Sequence, residues 1–129
     1  MTLISTTDDH TGGRFEIATE TPNGDIRTEF LDAPVNSVLL YDGHTNTGMI
    51  DTKLHKTYEG SFFLKGWRTF VGVNDTLEDP TGRGRERHVE VKRPSRATTE
   101  GSVRWVPSEY FNDGNVTLVA SHSNVQLHL

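Results

Sequence analysis

The chain has 129 residues, the size of one domain, with 33% hydrophobic residues and no cysteine, which excludes disulfides, Cys-based zinc sites and thiol catalysis. Its formal charge of -5, from 18 acidic and 13 basic residues, favours solubility and argues against general nucleic-acid or anionic-membrane binding. No apolar run approaches the ~18 residues of a membrane span, and Met1 to Asp9 lacks the basic start and apolar stretch of a signal peptide, so a cytoplasmic setting is the default expectation.

The polar stretch 1–13 reads as a loose leader and 14–129 as a single all-β domain. Phe15, Ile17 and Thr19 alternate with Glu16, Ala18 and Glu20, the period of a half-buried strand. Pro22-Asn23-Gly24-Asp25 is a turn signal, and Ile26 to Phe30 alternates again, so the two runs predict a hairpin. Val35 to Tyr41 reads as a buried strand and Gly48 to Leu54 as an alternating one. Ser61 to Leu64 and Thr69 to Val73 follow, parted by Lys65-Gly66. Asp79 to Gly84 is a turn cluster, His88 to Arg93 a charged strand, Arg93 to Thr99 an exposed loop and Gly101 to Val106 a strand. Pro107 to Asn112 is the best helical stretch, one turn long, and Asn112-Asp113-Gly114 is a turn. The last fifteen residues form one or two strands, with a break expected near Ser121 to Asn124.

Gly24-Asp25-Ile26, Gly48-Met49-Ile50, Gly60-Ser61-Phe62, Gly101-Ser102-Val103 and Gly114-Asn115-Val116 share the pattern Gly, any residue, large apolar. Each glycine is expected to supply positive φ where a strand begins. A short-strand β-solenoid and a β-sandwich both fit, with at least seven strands and no long helix. The expected core is Phe15, Ile17, Ile26, Phe30, Val38, Leu40, Ile50, Leu54, Phe62, Leu64, Phe70, Val89, Val91, Val103, Trp105, Val116, Leu118 and Leu127. Trp67 is also assigned to the interior, because it lies in a strand-like run.

Four phrases carry a family resemblance: Phe15 to Ile26 with its Thr-x-Asn-Gly turn, Thr47 to Phe62, Asp79 to Val91, and Gly101 to Trp105. In that order they resemble an uncharacterised fungal domain related to the bacterial putative-adhesin β-strand-repeat family. The resemblance spans most of Phe15 to Leu129, although the closing segment His122 to Leu129 lacks the family's usual glycine. It implies a β-solenoid or sandwich of short strands, a surface-attachment role and no catalytic residues.

Two constellations are candidate ligand sites. Tyr41, Asp42, His44 and Asn46 gather a ring, a carboxylate and hydrogen-bond donors in six residues, like a lectin loop, or else form an ordinary turn. Arg83, Arg85 and Arg87 at i, i+2 and i+4 would share one strand face, with guanidinium groups roughly 7 Å apart to grip a sulfated or carboxylated polymer. Their alternative is pairing with Asp75, Glu78 or Asp79. Tyr110 to Asp113 is a second lectin-like loop, and Asp8-Asp9-His10 a possible metal tail. His122 and His128 are expected on one strand face, too far apart to share an ion, so no metal and no cofactor are assigned. The function these features suggest is a non-catalytic adhesion or binding module, for glycan, polyanion or further copies of the chain through strand edges. The rival is a small enzyme with a pocket near Asp42 and His44.

Overall fold

The computed structural model describes residues 2–5, 13–32, 37–74, 77–80, 82–106 and 114–129. Its strands are β1 (Thr2–Ser5), β2 (Gly13–Thr21), β3 (Ile26–Asp32), β4 (Ser37–Thr45), β5 (Ile50–Lys53), β6 (Gly60–Lys65), β7 (Thr69–Gly72), β8 (Glu86–Ser95), β9 (Thr98–Val106), β10 (Gly114–Ala120) and β11 (Val125–His128). Among the described residues there is no helix. The larger sheet runs β2-β4-β10-β6-β9-β8 and the smaller β1-β3-β5-β11-β7. The two sheets do not close into a barrel.

The chain passes from the larger sheet to the smaller within each of β2–β3, β4–β5, β6–β7 and β10–β11, so these are four two-strand coils. Neighbouring coils pair in parallel throughout. This parallel stacking is a short two-faced solenoid, one of the two architectures expected. The predicted hairpin is therefore corrected: β2 pairs with β4, β3 pairs with β5, and Pro22 to Asp25 is a corner between sheets. A corner and a hairpin turn carry the same Gly/Asn chemistry; only the partner of the flanking strands tells them apart.

The coils do not stack in chain order. The last coil, β10–β11, sits between β4–β5 and β6–β7. Its corner is tied on both sides: Ser121 N–H donates to Thr45 O at 3.0 Å, and Trp67 N–H to Ser123 O at 2.8 Å. A middle position buries an apolar alternation best, and Val116, Leu118, Val125 and Leu127 are all fully buried. The antiparallel hairpin β8–β9 then extends the larger sheet from β6.

The core lies between the sheets. Tyr41, expected in a binding loop, is part of it: its phenol exchanges hydrogen bonds with Thr19 at 2.7 Å and Thr28 at 2.8 Å, linking the sheets. Trp105 is buried, donating its indole N–H to Lys56 O and accepting order from Glu59, whose carboxylate takes the Trp105 N–H at 2.8 Å. Five expected interior residues are corrected. Val38 and Leu40 share the parity of the exposed Asp42 and His44 on β4, so they stand on the outer face and Leu39 and Tyr41 turn inward in their place. Phe70 is 51% exposed, because Thr69 points inward to Thr99 and the alternation turns Phe70 out. Trp67 is exposed because it occupies the corner before β7. Val91 faces inward but lies past the edge of the smaller sheet, so it stays partly exposed. The stretch expected as a leader contributes β1, which pairs with β3, and Gly13, which opens β2. The expected helical turn Pro107 to Asn112, the loop Tyr110 to Asp113 and the tail Asp8 to His10 lie outside the described residues.

Candidate functional site

Among the described residues, a groove of about 900 Å³ lies over the outer face of the smaller sheet, lined among others by Arg27, Glu29, Asp51, Lys53, Phe70 and His128. Strand alternation and register put these side chains there. Arg27, Asp51, Gln126 and Phe70 stand level across β3, β5, β11 and β7; Glu29, Lys53, His128 and Gly72 form the next row. Their inward neighbours, Ile26, Thr28, Ile50, Thr52 and Leu127, are buried and hold the face rigid.

The charges alternate in sign from strand to strand. His128 Nε2 lies 3.1 Å from Asp51 Oδ1, and Lys53 Nζ lies 3.7 Å from Glu29 Oε1. Opposite charges on neighbouring strands offset one another, so the face offers donors and acceptors without a strong net field. Beside them Phe70 packs edge-on to His128, with ring centroids 6.3 Å apart and planes at 61°. Gly72 makes room for this arrangement: a Cβ there would stand 3.3 Å from His128 Nδ1. At the corner of the same two coils, Trp67 packs edge-on to His122 at 6.4 Å. Trp67 is 64% exposed at that corner.

The sequence-predicted site residues do not meet here. Asp42 and His44 are exposed on β4, on the outer face of the larger sheet, while Asn46 is exposed in the following corner. A shallow depression lined by Asp42, Glu16 and Thr117 does not include His44, so the two do not share an enclosed pocket. Tyr41 points the opposite way, into the core.

The arginine trio is also divided. Gly82 and Gly84 have φ of 72° and 71°, so the segment before β8 is kinked rather than extended, and the i, i+2, i+4 face does not form. Arg85 is buried against Asp79: Nη2 donates to Oδ1 at 2.9 Å, and Nε and the backbone N–H donate to Oδ2 at 3.0 and 3.1 Å. This is the pairing with Asp79 weighed as the alternative. Arg87 lies over the Trp105 ring at 5.9 Å and reaches Asn74 O, while Arg83 is exposed. Buried and stacked in this way, Arg85 and Arg87 cannot line up with Arg83 on a polymer.

Reading the sequence strand by strand missed Asp51, Phe70 and His128 as a group. His128 was assigned to a polar strand face, but its partners come from strands 77 and 58 residues earlier in number only because the last coil is inserted between them. The alternation of Asp51 and Lys53 was the one visible signal. Among the described residues no three His, Asp or Glu side chains stand close enough to hold a metal ion. Comparison with family models, characterised proteins and solved structures finds no match.

Proposed function

We propose that the chain is a non-catalytic binding module that presents the outer face of its smaller sheet to a hydroxyl-rich glycan. The observation that carries this reading is Phe70, half exposed on a face otherwise built from Arg27, Glu29, Asp51, Lys53 and His128. An aromatic ring offers a platform to the C–H face of a sugar, while carboxylates accept from its hydroxyls and cationic groups donate to them. The face is broad and open, which suits a polymer lying across strands.

A glycan array followed by calorimetric titration of the best hit tests the proposal. Phe70→Ala and Asp51→Asn should each weaken binding by about tenfold or more, equivalent to about 1.4 kcal/mol. Asp42→Asn and Arg83→Ser should leave it unchanged. Binding to a neutral glycan should vary little with salt, whereas retention of a polyanion that collapses with salt would point to the basic hairpin instead. Absence of any retained glycan, or full affinity in Phe70→Ala, would refute the proposal. A second reading, acid–base catalysis, is favoured only by the 3.1 Å contact between Asp51 and His128. Turnover on ester or glycoside substrates that disappears in Asp51→Asn would select it.

A further inference from the structure

The two ends of the stack are stepped in opposite senses. At one end the larger sheet overhangs, since β9 and β8 continue beyond β6 while the smaller sheet stops at β7. At the other end the smaller sheet overhangs, since β1 continues beyond β3 while the larger sheet stops at β2. Among the described residues, no strand pairs with the outer edge of β8 or of β2. The edge strands have nearly equal lengths, 10 and 9 residues. They also run in the same direction, because β9 is antiparallel to both β6 and β8 while β6, β10, β4 and β2 are mutually parallel.

We propose that the chain assembles head to tail with further copies of itself, the β8 edge of one copy pairing in parallel with the β2 edge of the next. The register supplies the argument. Glu16, Leu40, Asn115, Ser61, Ser102 and Glu90 stand level across the larger sheet. Continuing that ladder into a second copy sets its Phe15 beside Val89 and its Ile17 beside Val91; it also sets its Glu16 beside Glu90, a like-charge pair on the exposed face that works against the junction and that Lys92, 3.5 Å from Glu90, partly offsets. Val91 is 39% exposed and Val89, Phe15 and Ile17 are half-buried, so four apolar side chains left incomplete at the two ends complete one another.

The steps interlock as well. Strand β1 of the second copy lies opposite β8, over the inward face that carries Val89 and Val91, with one strand width left between it and β7. The far end of β8 limits the pairing, because Pro94 and the irregular register between Lys92 and Ser95 interrupt the ladder. That confines the junction to residues 87–92 of one copy and 13–18 of the next. Such an interface joins two different surfaces, so it repeats into a filament and does not close into a dimer. This inference stands on the strand edges and is independent of the glycan reading.

Sedimentation velocity of the full chain at rising concentration is the test. The wild type should grow past a dimer without a plateau. Val91→Lys buries a charge in the junction but lies on an exposed edge of the monomer, so it should fold normally and lower the association constant by at least about tenfold. Ala18→Lys, exposed on β2, sets a second lysine beside Lys92 and should also weaken assembly. Each variant keeps one intact end, so mixing the two should restore a one-to-one dimer and nothing longer. A wild type that stays monomeric throughout, a wild type that stops at a dimer, either variant assembling like the wild type, or a mixture that stays monomeric would overturn the proposal.

Discussion

Asp79 closes the segment between β7 and β8 with one carboxylate. Its two oxygens take the backbone N–H groups of Arg83 and Arg85 and the Arg85 guanidinium, and both side chains of the pair are 2% exposed. Removing one partner strands the other charge in a poorly hydrated site. Asp79→Ala should therefore cost about 3 kcal/mol, read as a lower urea midpoint with an unchanged slope. An unaltered midpoint would mean that water already reaches the pair. The same arginine shows what residue spacing alone conveys. Arg83, Arg85 and Arg87 have the spacing of a strand face, but glycines at positions 82 and 84 with positive φ turn the backbone between them. Spacing predicts a face only where the backbone stays extended. Phe70 and Thr69 fail the other way: the strand was legible, its parity was not, because a threonine pair, Thr69 with Thr99, occupies the interior where the bulkier ring was expected.

Among the elements, the corners decide whether coils can stack. A Cβ on Gly48 would lie 1.9 Å from Gly24 O, so the corner after β4 rests directly on the corner after β2. A Cβ on Gly60 would lie 2.2 Å from Gly114 O, which repeats the arrangement where β6 meets β10. Glycine is thus required at Gly48 for close approach of two backbones, not for the positive φ that the Gly, any residue, apolar pattern suggested; of those five glycines only Gly60 has one. Gly48→Ala should cost about 2–3 kcal/mol through overpacking. Gly82→Ala, where φ is 72° and no atom lies within 4 Å of the added Cβ, should cost about 1 kcal/mol. Thermal melts of the two variants check the order, and a reversed order would put the strain in the loop before β8 instead of the corners. Strands and turns were legible because alternation and Gly/Asn chemistry are local. Hairpin and corner were not distinguishable, because that depends on partners far away in the chain.

At the scale of the molecule, the position of the last coil makes the groove. β11 between β5 and β7 brings His128 within reach of both Asp51 and Phe70, two residues that no local pattern connects. An all-β stack of short strands could be read from the sequence; the order of its coils could not, since every coil offers its neighbours a similar apolar ladder. A stack in chain order would place β11 outside β7 and leave its far edge unpaired. In the inserted arrangement Val125 N–H donates to Arg68 O, just before β7, while Ile50 N–H at the start of β5 donates to Asn124 O and Leu54 N–H, just after β5, donates to His128 O. By the alternation of a parallel ladder, the Gln126 and His128 amides then face β5. Amide hydrogen exchange followed by NMR tests this directly. The inserted coil predicts that Gln126 and His128 exchange as slowly as Val125, on the time scale of global unfolding. Exchange of Gln126 and His128 at the rate of an unpaired strand edge, with Val125 still protected, would contradict the insertion and remove the basis of the groove.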